Sequence, residues 1–525
     1  MDKKKLGSMK RRICIGTYQP SFALTATLDA IGISHQECDE TSLSKDSFSV
    51  IILEQLLVLP PSLKARVEAF IGEGGAVLEI STNPFFFHDR LNVVRKVDFL
   101  VNTIPHLGFD RISHIDVFSK CRLSKNESAY FSGLVDFEAK SNGVIGFIGL
   151  DLSMILEPKS HKRKQFYGYG IGDSPDEIVS PVSRSEIIRL IEVTLLELHL
   201  RIQLPLITKW TSPTEKPVFA FRIDSDYGTE SSLTDILDLA TARKLSLTWF
   251  LHVKAHEKWL DLFHKFDSQE LALHCYEHST STSKQKIGQD LDFALSLLAE
   301  CNIETSGFAA PYGIWSEGLK KAILGYNFSY SSEFSTGYDG VPFALKLNDT
   351  EEIFQIPIHP ICTGSLSRRR FSIVEMKNYF EEVIQAKVGM HEPVVLYHHP
   401  LQPGLEVVEH IFDTAVELGL QNLTFLEFSE FWQHRKSISF EAFLNDGEIE
   451  IQTNAPEDFL FKISATHSEF DLINSSQTSF SIPENPAFKY QSPSLPSHEE
   501  VEALHGDKLR LLKTSILDWK HRKTL

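Results

Sequence analysis

The chain has 525 residues, of which 42% are hydrophobic and 23% are charged, and its formal net charge is -18. This length exceeds what one hydrophobic core serves, so the composition predicts a globular protein of two or three domains. The negative charge disfavours nucleic acid and anionic membrane surfaces as partners, and no apolar run approaches the ~18 residues of a membrane span. Six scattered cysteines without a Cys-x-x-Cys pair indicate reduced thiols and a cytoplasmic location.

Residues 9–204 are predicted to form an α/β domain. Four short apolar runs are typical of buried strands: Arg12–Tyr18, Ser49–Glu54, Ala76–Ile80 and Gly143–Leu150. A helix that starts at a proline pair and ends before glycines separates the second run from the third, which favours a parallel sheet. The turn Glu73-Gly-Gly-Ala-Val-Leu-Glu-Ile80 resembles flavodoxin-like or glutamine-amidotransferase-like domains. No cysteine follows this strand, so we expect no amidotransferase chemistry.

The middle of the chain separates this domain from a second one. Gly168, Gly170 and Gly172 predict a surface loop rather than a phosphate cradle, because neither a clear strand nor a helix flanks them. Ser183–Ile202 is predicted to be a long amphipathic helix and Leu204–Pro217 a linker.

The α/β alternation resumes over 217–435, and residues 436–525 predict a small β domain with a C-terminal helix over roughly 499–519. Within that last domain Asn445-Asp446-Gly447 is typical of a hairpin turn.

Acidic residues close the first predicted strand of the second α/β domain. In Pro217–Thr229, alternation places Arg222, Asp224 and Asp226 on one side of the strand end. Ligands bind at the carboxyl ends of parallel strands, and two neighbouring carboxylates there favour a cation or a shared proton. The simpler alternative is a turn that merely ends the strand.

A histidine pair follows a later strand-like run, Leu271–Leu273. His274 and His278 are four residues apart, a spacing that projects both imidazoles from one face of a helical turn towards one metal. With 21 histidines in the chain, about one such pair is expected by chance. His252 and His256 have the same spacing, and we interpret them as structural or surface residues because their context is weaker.

Two further predicted strands end in polar or turn-forming residues. Gly307–Gly313 closes with Ala310-Pro311-Tyr312-Gly313, and Pro393–Pro400 is a buried strand that ends in His398 and His399. Adjacent residues of a strand face opposite ways, so only one of these two histidines faces the site. The other is then a hydrogen-bonded structural imidazole.

These four strand ends, in this order, resemble the motifs of the polysaccharide deacetylase family (carbohydrate esterase family 4, the NodB homology domain). The resemblance covers about 217–435 and is carried by Ile223–Asp226, His274–His278, Ala310–Gly313 and Leu396–His399. It implies a deformed (β/α) barrel. The forms Asp-x-Asp and His-x-Tyr-x-His are most similar to the branch with peptidoglycan deacetylases, formyl-sugar deformylases and allantoinase-like hydrolases.

The resemblance implies a role for each matching residue. Asp226, His274 and His278 would hold a divalent metal, most simply zinc, with cobalt or nickel as alternatives. Asp224 would be the general base, and His399, or alternatively His398, would protonate the leaving amine. Pro311 and Tyr312 would lie on the substrate side, with the backbone N–H of Tyr312 stabilising the oxyanion.

The chain departs from the family pattern at two places. Ala309 occupies the position of an arginine that usually orients the base, and Arg222 is a candidate substitute from the first strand. The Asp-x-x-Asp-Trp motif that orients the catalytic histidine has no counterpart, since Ser331–Gly340 holds Glu333 and Asp339 but no tryptophan.

The leading hypothesis is a metal-dependent hydrolase that removes an acetyl group from an N-acetylated sugar or glycan intermediate. A deformylase or cyclic-amide hydrolase of the same fold is the second, and an inactive carbohydrate-binding protein is the third. Under each of them the partner is a carbohydrate or small amide. No sequence feature sets an oligomeric state.

Overall fold

The structure is a computed structural model that describes residues 10–87, 91–102, 108–112, 114–157, 160–168, 174–491, 497–506 and 508–524. Among these residues the chain divides into two compact units. The first unit comprises 10–157, 186–215 and 434–491, and the second comprises 160–185, 216–433 and 497–524. The sequence predicted three domains, 9–204, 217–435 and 436–525, and this division remains a prediction.

The strands, in chain order, are β1 Arg11–Ile13, β2 Ile15–Tyr18, β3 His35–Glu37, β4 Val50–Glu54, β5 Ala76–Ile80, β6 Arg95–Val101, β7 His114–Cys121, β8 Val135–Lys140, β9 Gly143–Ile148, β10 Lys162–Gln165, β11 Asp176–Val179, β12 Leu206–Lys209, β13 Val218–Asp224, β14 Thr248–His252, β15 Glu270–Cys275, β16 Gly307–Phe308, β17 Tyr330–Ser331, β18 Phe343–Lys346, β19 Glu352–Gln355, β20 Val394–His398, β21 Gln421–Asn422, β22 Phe440–Asn445, β23 Glu448–Thr453, β24 Leu460–Ser464, β25 Glu469–Asn474, β26 Ser479–Ser481 and β27 Phe488–Lys489.

The α-helices are α1 Phe22–Ile31, α2 Pro61–Gly72, α3 Leu152–Leu156, α4 Arg184–Arg201, α5 Glu230–Ala242, α6 Val253–His256, α7 Lys284–Glu300, α8 Glu317–Ile323, α9 Thr363–Ser367, α10 Ile373–Gly389, α11 Leu405–Glu417, α12 Phe425–Ser437, α13 His498–Gly506 and α14 Lys508–Thr524. Short 3-10 turns at Phe109–Arg111, Phe131–Gly133, Glu257–Lys265 and Pro311–Gly313 complete the described elements.

The first unit is built on a six-stranded sheet with the order β3-β2-β4-β5-β9-β8. Its strands are parallel except β8, which runs antiparallel to β9. The apolar runs predicted as buried strands form β1 and β2, β4, β5 and β9, and the central strands β4 and β5 are buried along their whole length. Helix α2 begins at the predicted proline, because proline is compatible with the first helical turn.

The strands after residue 436 do not stand alone. β22 pairs with β1 in a four-stranded sheet, and β24 pairs with β12 in another. The separate β domain expected over 436–525 is therefore not confirmed, although its hairpin is present and turns between Asn445 and Glu448. β12 lies in the segment predicted as a linker, because its apolar residues Leu206 and Ile207 are buried.

The second unit is an α/β structure around a nine-stranded sheet with the order β18-β19-β17-β16-β15-β14-β13-β20, and β21 pairs with β13. All neighbouring strands from β19 to β20 run parallel, and only β18 is antiparallel. The sheet is a curled half-barrel, which agrees in part with the deformed (β/α) barrel that the sequence predicts. β13 is buried at every residue, so its carboxyl end is fixed by core packing.

Two other predictions concern regions away from this sheet. The helix expected over roughly 499–519 is matched by α13 over His498–Gly506 and α14 over Lys508–Thr524, and residue 507 between them lies outside the described residues. The glycine run at 168–172 reaches outside the described residues. Within the described part of the chain, no helix combines the length and apolarity that crossing a bilayer requires.

Candidate active site and metal centre

The predicted site residues gather at one edge of the second unit's sheet. β16, β15, β14, β13 and β20 are parallel neighbours, so their carboxyl ends lie side by side. Asp224 is the last residue of β13, His274 lies in β15, and His398 is the last residue of β20. The parallel register therefore brings together chain segments that are far apart in sequence.

Asp226, His274 and His278 converge around one point. Oδ1 of Asp226 lies 3.4 Å from Nε2 of His274 and 3.1 Å from Nε2 of His278. The three donor atoms all lie within 4.8 Å of one another. Asp226 and His278 are partly exposed, whereas His274 is buried, so the cluster opens towards solvent on one side.

The donor atoms of this cluster suit a divalent metal. Nδ1 of His274 lies 2.6 Å from the Ala309 carbonyl oxygen, which fixes the proton on Nδ1 and leaves the lone pair on Nε2. Oδ1 of Asp226 is buried and accepts no hydrogen bond despite its two imidazole neighbours. Two imidazole nitrogens and one carboxylate oxygen are ligands that zinc, cobalt and nickel accept. These residues therefore fit such an ion.

The local geometry of the histidine pair differs from the helical turn that its spacing predicts. His274 belongs to strand β15, and His278 lies in a bend beyond the end of that strand. The two rings are 5.1 Å apart because the chain bends back after Cys275, with Asp290 accepting from the backbone N–H groups of Tyr276 and Glu277. The helical interpretation was wrong.

Arg222 and Asp224 form a buried ion pair. Nε of Arg222 donates to Oδ1 of Asp224 at 2.5 Å, and Nη2 donates to Oδ2 at 2.8 Å. Nη1 donates to the carbonyl oxygen and the hydroxyl of Ser332. Burial raises the pKa of Asp224, but Arg222 and the neighbouring histidines together lower it by more than burial raises it. The net shift of this pKa is therefore downwards. Arg222 thus contacts the carboxylate that the missing arginine at Ala309 would orient in the family.

The two adjacent histidines at the end of β20 have different surroundings. Nε2 of His399 lies 3.7 Å from Oδ2 of Asp224 and 3.6 Å from Oδ2 of Asp226. His398 is buried, and its Nδ1 lies 3.0 Å from the Thr363 hydroxyl. Burial and His399 lower the pKa of His398 to about 3. His399 is therefore the histidine beside the acidic pair, as strand alternation allows.

The charge around His399 favours its protonated form. Burial lowers its pKa, but Asp226, Cys362 and Asp224 outweigh burial and raise the pKa to about 10. The Cys362 thiol is itself affected, because burial raises its pKa while His399 lowers it, to about 7. Cys362 was not predicted as a site residue, and no motif in its neighbourhood marks it.

The third strand end forms a tight turn beside the histidines. Tyr312 and Gly313 both have positive φ, of 62° and 60°, and a Cβ on Gly313 would lie 2.3 Å from Cδ2 of Phe334. The Tyr312 ring centroid is 4.8 Å from that of His278, and Pro311 is buried. The turn is fixed from behind by Glu333, whose Oε1 accepts from the Ala310 N–H at 2.9 Å.

His252 and His256 are buried next to this cluster, although outside it. His252 Nδ1 lies 2.9 Å from the Asp226 carbonyl oxygen, and His256 Nε2 lies 2.8 Å from the Ser225 hydroxyl. These contacts hold Asp226 in a left-handed backbone conformation with φ of 40°. Their structural interpretation fits these contacts, but a surface position does not. The strand-end rule could have found His252, because it is the last residue of β14.

A cavity of about 510 Å³ adjoins the cluster at His274, Ala310 and Pro311. Its lining combines polar and aromatic side chains, among them Tyr276, Glu277, Ser281, Lys286, Asp290 and Phe293. Such a mixture suits a polar ligand with apolar faces.

No protein-family model matches the chain, and no curated protein is significantly similar to it. Solved structures do show similarity over about two fifths of the chain. A protein from Mycobacterium smegmatis described as a polysaccharide deacetylase is 16% identical, with 43% of this chain and 94% of that chain covered and a TM-score of 0.37. Peptidoglycan deacetylase PdaC from Bacillus subtilis is 13% identical, with 43% and 96% covered and a TM-score of 0.32.

A third similar structure is a CE4 family pseudoenzyme from Bacillus anthracis. It is 17% identical, with 42% of this chain and 66% of that chain covered and a TM-score of 0.31. The structural neighbours of this chain thus include polysaccharide deacetylases of the CE4 family at partial coverage and low identity. At these values the roles of individual residues rest on the geometry of this chain alone.

Proposed function

We propose that the second unit is a metal-dependent amide hydrolase that removes an acetyl group from an N-acetylated sugar or glycan intermediate. The observation that carries the proposal is Oδ1 of Asp226, a buried carboxylate oxygen that accepts no hydrogen bond and faces two imidazole Nε2 atoms. A buried acceptor in this state is costly unless a cation or another donor compensates it. An acid and a base beside it complete the set of groups that amide hydrolysis requires.

Asp226, His274 and His278 would hold the metal. When bound, a divalent metal of this kind polarises a carbonyl oxygen and makes water a better nucleophile at neutral pH. Zinc is the first choice for a site of two imidazoles and one carboxylate, and cobalt or nickel are alternatives.

Asp224 and His399 supply the proton transfers. Asp224 would accept a proton from the attacking water at a carboxylate oxygen that Arg222 keeps ionised. His399 Nε2, which lies 3.7 Å from Oδ2 of Asp224, would donate a proton to the leaving nitrogen. In the metal-free protein the acidic pair raises the pKa of His399 and so favours its protonated form.

Aromatic side chains near the histidines would contact the sugar. Tyr227 is 41% exposed, and its ring centroid lies 6.0 Å from that of His278, while Tyr312 flanks His278 at 4.8 Å. Apolar faces of a sugar ring pack on such rings, and the polar lining of the adjoining cavity offers hydrogen-bond partners to hydroxyl groups. The backbone of the Pro311–Gly313 turn would adjoin the scissile carbonyl.

One observation favours an inactive, metal-holding carbohydrate-binding protein as the second candidate. Both oxygens of Asp224 accept a hydrogen bond from Arg222. The lone pairs used in these bonds are not available to accept a proton from water. A carboxylate held in this way is a weaker base. The two candidates share the metal cluster and differ in turnover.

Metal content tests the cluster. The purified chain, loaded with zinc and dialysed, should retain about one equivalent per chain. Asp226→Ala should lose it, whereas Asp235→Ala, an exposed aspartate on α5, should not. Equal zinc in the wild type and in Asp226→Ala would refute the assignment of the cluster.

Turnover then separates the two candidates. Acetate release should be measured with N-acetylated oligosaccharides, a lipid-linked N-acetyl sugar and a nucleotide N-acetyl sugar, alongside formyl and cyclic-amide analogues. Asp224→Asn should keep zinc and lose turnover. Zinc binding together with sugar binding, but without release of an acyl group from any of these substrates, would favour the inactive candidate.

A further inference from the structure

The two C-terminal helices of the second unit differ in how far their apolar side chains are exposed. In α13 the apolar residues Val501 and Leu504 are buried. In α14 the apolar residues Leu509, Leu512 and Ile516 are exposed by 82%, 58% and 47%. Spacings of three and four residues place these three on one face of the helix, over a length of roughly 10 Å. A soluble helix normally turns this stripe towards its own core.

The side of α14 that contacts its own unit carries hydroxyl groups beside the partly buried Leu511. The Thr514 hydroxyl lies 3.3 Å from Nη2 of Arg369, and Nε of Arg163 donates to the Ser515 hydroxyl at 3.2 Å. The helix therefore uses hydroxyl groups to contact its own unit and directs its apolar stripe outwards. Because these contacts fix the rotation of the helix, the exposed stripe follows from how α14 is held.

The charge of this segment also contrasts with that of the whole chain. Residues 508–524 contain six lysine or arginine residues and one acidic residue, Asp518, while the chain carries a net charge of -18. Lys508 and Lys513 lie on either side of the stripe on a helical projection. Exposed charges separated by more than ~8 Å are screened at physiological ionic strength, so the local charge determines what approaches this helix.

We propose that α14 is an interfacial helix that binds the surface of an anionic lipid bilayer. An apolar stripe of Leu509, Leu512 and Ile516 would enter the boundary between headgroups and acyl chains, and the flanking lysines would contact anionic headgroups. A partner that matches this helix must carry apolar and anionic groups next to each other. The surface of a bilayer that contains anionic lipids has both. The helix lies on the membrane in this arrangement and does not cross it.

Vesicle flotation of the full-length protein tests the proposal. The wild type should float with vesicles that contain phosphatidylglycerol in phosphatidylcholine, should float at least ~10-fold less with phosphatidylcholine alone, and should be released by high salt. Leu512→Ser with Ile516→Ser should reduce flotation by ~10-fold or more, as should Lys508→Glu with Lys513→Glu. These positions are exposed in the folded protein, so the melting temperature should not change.

Matched controls distinguish vesicle binding by α14 from nonspecific adsorption through other exposed residues. Val374→Ser removes an apolar residue of α10 that is 66% exposed, and Lys321→Glu reverses an exposed lysine near the end of α8. Neither should change flotation. The proposal is overturned by no flotation of the wild type, by equal flotation with neutral vesicles, or by stripe variants that float normally. Self-association in solution that the stripe variants abolish, without vesicle binding, would instead assign the stripe to a second copy of this chain.

Discussion

Replacing Arg222 with methionine tests whether the buried ion pair holds Asp224 in place. The side chains of Arg222 and Asp224 are only 1% and 5% exposed, and two hydrogen bonds join them. Methionine has a similar length but no charge, so the variant leaves a buried carboxylate without its cation. Removing one partner of such a pair typically costs about 3–5 kcal/mol. For a unit of this size the melting temperature should fall on the order of 10 °C.

The double variant Arg222→Met with Asp224→Asn sharpens this expectation. It removes the uncompensated charge as well as the cation, so it should be more stable than Arg222→Met by about 2 kcal/mol. Recovery is incomplete because Ser332 still lacks the donor that Arg222 provides. The control is Arg243→Met, since Arg243 pairs with the half-exposed Asp413 and its loss should cost under about 1 kcal/mol.

The pH dependence of the stability loss has a definite sign. In the wild type the lowered pKa of Asp224 contributes stability above the unfolded pKa, and this is lost as the pH falls through the folded pKa. Without Arg222, burial raises the pKa of Asp224, so the folded state is penalised as the pH rises through that value. The gap in melting temperature between wild type and Arg222→Met should therefore widen from acidic to neutral pH.

Thermal melts followed by circular dichroism, on protein stripped of metal with a chelator, measure these differences without linkage to metal binding. A double variant that is no more stable than Arg222→Met would refute the role of the ion pair. A gap that narrows towards neutral pH would refute the assignment of the charge to Asp224.

Four other substitutions have separate expected outcomes. His252→Ala removes the donor to the Asp226 carbonyl and should weaken zinc binding ~10-fold in a chromophoric competition assay; unchanged affinity would leave His252 without a positioning role. His399→Ala should keep zinc and lower kcat ~100-fold or more, and rapid turnover would exclude it as the acid. His398→Ala should lower the melting temperature while sparing kcat per folded molecule, and the reverse pattern would exchange the two roles. Glu270→Ala removes three buried hydrogen bonds and should cost about 2–3 kcal/mol; a cost near zero would contradict that accounting.

Strand-end residues of the second unit could be predicted because the rule behind them is general. Apolar runs such as Val218–Ile223 specify buried strands, and parallel strands deliver their next residues to one edge. Asp224, Asp226, His274 and His399 were therefore predicted to lie near one another, and they do. The proximity of these residues can be predicted from the order of the parallel strands alone, and the alternation of strands and helices largely determines that order.

Other features depend on information that sequence spacing lacks. The bend that brings His278 onto His274 depends on Asp290, twelve residues further on, accepting from two backbone N–H groups. The pairing of β22 with β1 joins residues more than 400 positions apart, and nothing local in either strand specifies its partner. Arg222 was a candidate because it shares a strand face with Asp224. Its hydrogen bonds to both oxygens of Asp224, however, form in a buried position where Arg222 also donates to Ser332, and sequence spacing shows neither condition.

Carboxylates also lie at or next to the ends of strands in the first unit, and their hydrogen bonds show why position alone does not define a site. Glu54 accepts from the N–H and hydroxyl of Ser21, and Glu79 accepts from the N–H groups of Phe85 and Phe86. The oxygens of these carboxylates already accept hydrogen bonds from groups of their own unit. Asp226 lies at an equivalent edge of the second unit, yet its Oδ1 is buried, makes no hydrogen bond and faces the Nε2 atoms of two histidines. The strand end indicates where a ligand can bind, and a buried carboxylate oxygen without a hydrogen bond indicates that a donor or a cation would be stabilised there.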